Sequence, residues 1–374
     1  MPQEVASAFA ASGNHVLYVE NTGVRRPSLK DASRVAERLA NWRRAKSGMR
    51  RDSADLTIYS PLLVPLPYSR IAGYINARVF TRSVRRWLSG KTRGPLIVIS
   101  FLPTPLARDV IAALDPALVV YYCADRLAES SPGARRLAGS ERALLAEADL
   151  VFTTSNGLKA MASQWSSHVE LLACGVRSQE FADARRSTGD DPALFSNLAR
   201  PVIGFPGTLR DKLDLALLSE VAALAPEMSF VFAGPVDADI RELSSHPNVR
   251  IIGPLPHAGV IRHVAQFDVG ILPYVQNAFT ADLMPVKLKE YLAAGLPVVS
   301  TPLPEVSKFA EDHPGLVAFA SEAPAFVAAL RAAARANGEE AIAHRMEIAR
   351  GYDWSEQMAR MSAVMEAALD AKRR

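Results

Sequence analysis

The sequence predicts an α/β protein built from two doubly wound domains, and three observations carry that expectation. The chain has 374 residues, more than one hydrophobic core usually serves, so two domains of roughly 180 residues each are the natural division. Short apolar runs ended by Gly, Pro or polar residues recur through both halves, with stretches between them long enough for crossover helices. Each half also opens on a strand that runs into a glycine-containing loop, HVLYVENTG at 15–23 and PVIGFPGTL at 201–209, as α/β units of the nucleotide type do.

In the first half the buried-strand pattern continues through DLTIYSP, PLIVISFLP, ALVVYYCAD and ADLVFTTS, which reads as a parallel sheet. HVELLACGV (168–176) follows, and then a polar stretch, 185–200, suited to an interdomain linker. The pattern restarts with PVIGFPGTL, MSFVFAGPV, VRIIGPLP, FDVGILPY and LPVVSTP, with amphipathic LDLALLSEVAALA and HAGVIRHVAQ between some of them. The expected domains are 1–185 and 186–345, facing one another across a cleft, with a helical tail at 346–374 that returns to the first domain. That cleft is the default binding site.

Composition narrows the class. Hydrophobic residues make up 49% and charged residues 22%, enough apolar material for two cores and too much for extended disorder. The start lacks a basic region followed by an apolar one, and no apolar run approaches the ~20 residues of a spanning helix. The expectation is a cytoplasmic protein, peripheral on a membrane at most. Cys123 and Cys174 form no metal-ligand spacing and read as reduced, structural thiols. The net charge is only +4, yet residues 24–94 hold 17 Lys or Arg against 4 Asp or Glu, an excess of +13. An anionic partner is expected there.

The stretch FTADLMPVKLKEYLAAGLPVVSTPLPEV (279–306) resembles the signature of bacterial family-4-like glycosyltransferases of the GT-B fold, the glycosyl transferases group 1 of teichuronic acid, exopolysaccharide and xanthan-type glucuronosyl transfer. HVLYVENTG, ADLVFTTSNGL with the later CGV, PVIGFPGTL and GPLPHAGVIRHVAQFDVGILPY support it in the expected order, so the resemblance covers most of the chain. It implies a transfer from a nucleoside-diphosphate sugar, UDP-linked, to a lipid-linked or polysaccharide hydroxyl in the cell envelope, with no metal cofactor.

A nucleotide-sugar donor offers a diphosphate, a ribose and a base, and each needs its own partner. The resemblance implies that Glu290 accepts hydrogen bonds from the ribose. Lys287, one helical turn earlier, lies on the same face within reach of a phosphate. The loop Gly207-Thr208-Leu209-Arg210-Asp211-Lys212 offers backbone room at Gly207 and cations at Arg210 and Lys212 near a helix start, which suits a departing diphosphate. His257, with His263, and Tyr274 are placed to line the donor site, although an exposed turn and ordinary packing explain them as well. Retaining relatives carry a Glu with seven residues between it and the ribose Glu. Here that position is Asp282, which leaves the stereochemistry open. Asp125, past the strand LVVYYCA, is the candidate base of an inverting reaction, with a helix cap or a pairing with Arg126 as the alternative. Gly23, Arg25 and Arg26 are candidate ligands of an acceptor phosphate. Glu141 and Asp149 read as structural, and Asp237-Ala238-Asp239 follows a second-domain strand, an unsuitable place for a sugar-site metal.

The segment 60–88 has Ile71, Ile75, Val79 and Trp87 at near-helical spacing among Arg70, Arg78, Arg82, Arg85 and Arg86. It suits an anionic membrane surface, with a helix packed on its own domain as the alternative. Two rival functions stand beside transfer: a nucleotide-sugar epimerase of the same architecture, and a nucleic-acid-binding protein prompted by the basic segment. The second lacks a zinc, helix-turn-helix or RNA-binding aromatic signature, so nucleic acid is not an expected partner.

Overall fold

The computed structural model describes residues 1–20, 48–64, 66, 69–90, 94–129, 133–187 and 193–374. They form two compact units, Met1–Leu172 with Met358–Arg374, and Ala173–Gln357. These divisions fall at 172/173 and 357/358, where the sequence suggested 185/186 and 345/346. The difference has a packing reason. Phe181, in the helix Ser178–Arg186, and Phe195, in the expected linker, are both buried among second-unit side chains, Phe195 against the rings of His263 and Phe267.

The first unit starts with α1 (Pro2–Ala11), β1 (Val16–Val19), β2 (Met49–Arg51) and β3 (Leu56–Tyr59). β1 pairs parallel with β3, whereas β2 pairs antiparallel, Arg50 opposite Ile58, so in place of the one parallel sheet expected the first unit has two, and this three-stranded one, β1-β3-β2, is mixed. Then come α2 (Arg70–Leu88), β4 (Ile97–Ser100), α3 (Pro105–Leu114), β5 (Leu118–Cys123), α4 (Ala138–Glu147), β6 (Leu150–Thr153), α5 (Asn156–Ala162) and β7 (Val169–Leu171). β4-β5-β6-β7 is a parallel sheet in chain order. Every side chain of β5 and β6 is buried, as strands covered on both faces require. Cys123 and Cys174 are free thiols, both buried. Glu141 accepts from Tyr121 Oη at 2.8 Å, and Asp149 accepts from Val119 N at 2.8 Å and Lys372 Nζ at 2.7 Å. Burial pushes the Glu141 carboxyl up from its ordinary value.

Trp87 departs from expectation. It turns inward, its indole N–H donating to Thr57 Oγ1 at 3.2 Å, and the exposed ring of α2 is Tyr74 instead.

The second unit begins with α6 (Ser178–Arg186) and then alternates β8 (Val202–Pro206), α7 (Leu215–Leu224), β9 (Ser229–Ala233), α8 (Arg241–Ser244), β10 (Val249–Ile251), α9 (His257–Val264), β11 (Val269–Leu272), α10 (Val286–Ala293), β12 (Val298–Ser300), α11 (Pro304–Asp312), β13 (Val317–Phe319) and α12 (Ala323–Arg335). Successive residues of a strand serve opposite cores. Ile203, Phe205, Phe230 and Phe232 pack with Leu218 of α7 and Phe326 of α12. Val202 and Val231 pack on the other face with Val264, Leu288, Leu292 and Phe309. The tail is two helices, α13 (Glu339–Arg350) and α14 (Trp354–Arg373), broken at Gly351. None of the described helices is long and apolar enough to cross a membrane.

Candidate functional site

The six strands of the second sheet are all parallel and lie in the order β10-β9-β8-β11-β12-β13. Counted from β8 this is 3-2-1-4-5-6, in which the chain winds one way from β8 and the other way from β11. Ligands of such sheets bind outside the carboxyl ends of the strands at that reversal. The segments that meet there follow β8 and β11.

The segment after β8 is held on both sides. Toward β9, Gly207 N donates to Ala233 O at 2.9 Å, Leu209 N to Pro235 O at 2.9 Å and Asp237 N to Leu209 O at 2.8 Å. Toward β11, Asp214 N donates to Pro273 O at 2.8 Å and Val275 N to Lys212 O at 3.0 Å, with Leu213 bridged to Tyr274. Leu209 and Leu213 are buried between these ties, which leaves Arg210 exposed. Asp214 caps α7 by accepting from Leu217 N at 3.0 Å. Glycine is required twice. A Cβ at Gly234 would stand 2.2 Å from Gly207 O, and one at Gly207 would stand 2.5 Å from Lys287 Cε and 3.0 Å from its Nζ. The Lys287 side chain therefore lies across Gly207.

Lys287 comes from α10, whose orientation is set by a residue the sequence reading passed over. Tyr291 is fully buried and donates to Gly204 O and Ile271 O, each at 3.1 Å. These are carbonyls of β8 and β11, the strands that flank the reversal. Two mid-strand glycines make room: a Cβ at Gly270 would stand 2.4 Å from the Tyr291 ring, and one at Gly204 would stand 1.9 Å from Phe267. Glycine inside a strand marks such close approaches, so the signal was present in the sequence. With Tyr291, Leu288 and Leu292 on the core side, Lys287 and Glu290 share the partly exposed side. Lys289 turns the other way, donating to Cys174 O at 3.3 Å and lying 4.7 Å from the Tyr352 ring centroid.

The electrostatics of the pair are reciprocal. Burial pulls the Lys287 ammonium below its ordinary value; Glu290 opposes this and Arg210 adds to it. Burial pushes the Glu290 carboxyl up, opposed by Lys287 and His257. Lys287 Nζ lies 5.3 Å from the Phe205 ring centroid, an apolar neighbour that leaves the ammonium without full solvation. Two cations, Lys287 and Arg210, beside a partly exposed backbone turn are suited to a diphosphate.

The remaining expected residues fall as follows. Thr208 is partly buried beside Gly207. Lys212 extends its Nζ over the Phe279 ring, 3.3 Å from the centroid. Tyr274 packs edge-on to Phe205 with centroids 6.3 Å apart, and its carbonyl accepts from Thr301 Oγ1 at 2.7 Å. Asp282 ends a one-turn helix, Thr280–Asp282, opened by Asn277, whose Oδ1 accepts from the amides of Phe279 and Thr280. His257 begins α9, exposed, with Nε2 3.8 Å from Glu180 Oε2. His263 does not join it: the ring is buried and Nδ1 contacts Gly259 O of its own helix at 2.8 Å. Asp239 is bound by Arg241 at 2.6 Å, which holds its carboxyl at about 2. In the first unit, Asp125 is exposed two residues past β5, and its carbonyl accepts from Leu127 N at 2.8 Å. Gly23, Arg25 and Arg26 lie outside the described residues.

Comparison with known proteins agrees with this geometry. Residues 200–335 match the family model of the glycosyl transferases group 1. TuaH of Bacillus subtilis (strain 168), whose name assigns it provisionally to teichuronic acid biosynthesis as a glycosyltransferase, is 29% identical over 257 residues. That match covers 63% of this chain and 64% of the relative's length. Among solved structures, the sucrose-phosphate synthase of Thermosynechococcus elongatus superposes with a TM-score of 0.70 at 18% identity, covering 99% of this chain and 92% of that one. A UDP-forming α,α-trehalose-phosphate synthase from Burkholderia vietnamiensis gives 0.66 at 15% identity, with 96% and 100% covered. HepE of Anabaena, solved in complex with UDP, gives 0.62 at 12% identity, with 83% and 86% covered. Residues 200–335 are thus a glycosyl transferases group 1 domain, within a chain of GT-B fold.

Proposed function

We propose that the chain is a glycosyltransferase that moves a sugar from a nucleoside-diphosphate sugar, UDP-linked in our reading, to a hydroxyl of a lipid-linked or polysaccharide acceptor in cell-surface glycan synthesis. The observation that carries it is the arrangement at the strand-order reversal: Lys287 lying across Gly207, with Glu290 on the same face of a helix tied to β8 and β11 by Tyr291. UDP in the structure of HepE supports the nucleotide, and the name of TuaH supports the cell-surface product.

In this reading the Glu290 carboxylate accepts from the ribose hydroxyls, while Lys287, Arg210 and the Gly207–Thr208 turn receive the diphosphate. The bond from the anomeric carbon to the diphosphate oxygen breaks, the acceptor oxygen bonds to that carbon, and Asp125 takes the acceptor proton. Most of the acceleration comes from charge stabilisation on the leaving diphosphate, because these cations and amides are fixed before the charge develops. The donor half of the proposal is tested by thermal shift and calorimetry of the whole protein with UDP, GDP and ADP, repeated with Glu290→Ala and Lys287→Ala. One diphosphate is expected to raise the melting temperature by mass action, and both substitutions are expected to abolish the shift. No shift with any of the three at millimolar concentration overturns the reading; consumption of the donor sugar without acceptor turns it toward the epimerase.

A further inference from the structure

We infer that one face of the first unit, the exposed face of α2, docks on an anionic lipid bilayer. α2 presents Ile71 with 75% and Tyr74 with 65% of their surface exposed, and beside them Ile75 and Val79. The segment before it adds Leu62, Val64 and Leu66, each at least 40% exposed. Single exposed apolar residues are ordinary, but Ile71, Tyr74 and Ile75, spaced by three and four on one helix, form a shared exposed apolar face that marks an interaction site.

The fold builds this patch. Asn76 is buried in α2 and grips Val64 by both backbone groups: Val64 N donates to Asn76 Oδ1 at 2.8 Å, and Asn76 Nδ2 donates to Val64 O at 3.1 Å. Val64 is thereby fastened to the core-facing side of the helix. Ala72, Asn76, Phe80 and Val84, spaced by four, face the core, where Phe80 meets Tyr59 edge-on with centroids 5.5 Å apart. At about 100° per residue, Ile71, Ile75, Arg78 and Arg82 must then share the opposite face. The helix contains Arg70, Arg78, Arg82, Arg85 and Arg86 and no Asp or Glu. Arg85 is engaged with Ala113 O, and Arg78 donates to Tyr74 Oη at 3.1 Å. The exposed face is therefore apolar at its first turns and cationic along its last ones.

That combination selects among partners. Nucleic acid answers the arginines but leaves the aliphatic side chains against phosphate and water. A second copy of the chain, joined about a twofold axis, sets arginine against arginine. An anionic bilayer answers both halves: Ile71 and Ile75 enter the boundary between headgroup and acyl chain, Tyr74 sits at headgroup level, and the arginines meet lipid phosphates.

The test is co-sedimentation of the whole protein with large unilamellar vesicles of phosphatidylcholine, alone or with 30 mol% phosphatidylglycerol in place of part of it, where ~30% is a conventional anionic content. Binding is expected only with the anionic lipid, weakening as salt rises. Ile71→Ser with Ile75→Ser, and separately Arg78→Glu with Arg82→Glu, are each expected to weaken it about tenfold or more. All four positions are exposed, so the melting temperature stays at the wild-type value and a folding defect is recognised if it moves. Tyr74→Trp supplies a second reading, with tryptophan emission shifting to the blue on adding anionic vesicles. Equal or absent binding to both vesicles, or variants that bind as the parent does, overturns the proposal. So does a dimer dispersed by the Ile71/Ile75 double substitution, or salt-sensitive binding to nucleic acid without binding to vesicles.

Discussion

Replacing Gly207 by Ala separates the site from the fold that holds it. The added Cβ would lie 2.5 Å from Lys287 Cε and 3.0 Å from Nζ, whereas carbon atoms settle at about 3.5–4.0 Å. The end of Lys287 must therefore retreat by about 1 Å, enough to lose a charge-assisted contact that works at ~2.7–2.9 Å. Such a contact is worth about 1.5–3 kcal/mol, so affinity for the preferred nucleoside diphosphate should fall about 10- to 150-fold. The fold should hardly notice. Gly207 is outside the positive-φ glycines, and what its Cβ displaces is the free end of a flexible side chain, together with a small give from Phe205 Cε1 at 3.1 Å. Gly234→Ala is the control of opposite character, since its Cβ would meet the backbone of Gly207 at 2.2 Å; overpacking of that kind costs about 1–3 kcal/mol of stability. Calorimetric titration gives the first quantity and thermal melts the second. If Gly207→Ala keeps its diphosphate affinity while Lys287→Ala loses it, Lys287 does not act from the position it holds here, and the reasoning fails.

Three further outcomes are expected. Because burial lowers the Lys287 pKa, the unfolded chain retains a proton that the folded protein has lost between that depressed value and the ordinary lysine value. Across that window, this residue's contribution to stability rises with pH. A bound diphosphate restores the proton, so binding should take up protons there and weaken as pH rises; calorimetry in buffers of different ionisation heat measures the uptake, and Lys287→Gln should abolish it. Asp125→Asn should lower transfer by about 10²–10⁴-fold while diphosphate binding is unchanged, whereas a parallel loss of both would make Asp125 structural. Tyr291→Phe removes the donor to Gly204 O and Ile271 O, at a cost of about 1–3 kcal/mol. It should lower the melting temperature and weaken the diphosphate together; a loss of stability with affinity intact would show that α10 does not need this tie.

β5, β6, β8, β9, β11 and β12 were readable because burial on both faces forces unbroken apolar runs, and ALVVYYCAD and MSFVFAGPV have no other economical use. β2 and β13 escaped for the opposite reason. Met-Arg-Arg at 49–51 is an antiparallel edge with two exposed side chains, and the three residues of β13 are only partly buried at best; neither carries a run. Glu290 was singled out by the resemblance alone; what spacing made legible is that Lys287 shares its face, since i and i+3 do so wherever the helix goes. Lys212 was only half legible, because its position over Phe279, 67 positions along the chain, depends on the ties between the segments after β8 and β11. Trp87 was misread by helical spacing alone: partners on β3 decide which large side chains of α2 turn inward, and Thr57 supplied one for the indole N–H.

The first unit is made from both ends of the chain. Met361 and Met365 of α14 are buried, and Lys372 reaches Asp149, 223 positions earlier, at 2.7 Å. All of Ala173–Gln357 lies between those two contributions. During synthesis the second unit therefore has its whole sequence available while the first still lacks α14 with its buried Met361 and Met365, so the half of the protein made earliest is the later one to finish. Until α14 docks, the part of the first unit that receives Met361 and Met365 stays open to solvent, so the order of synthesis runs opposite to the order of completion.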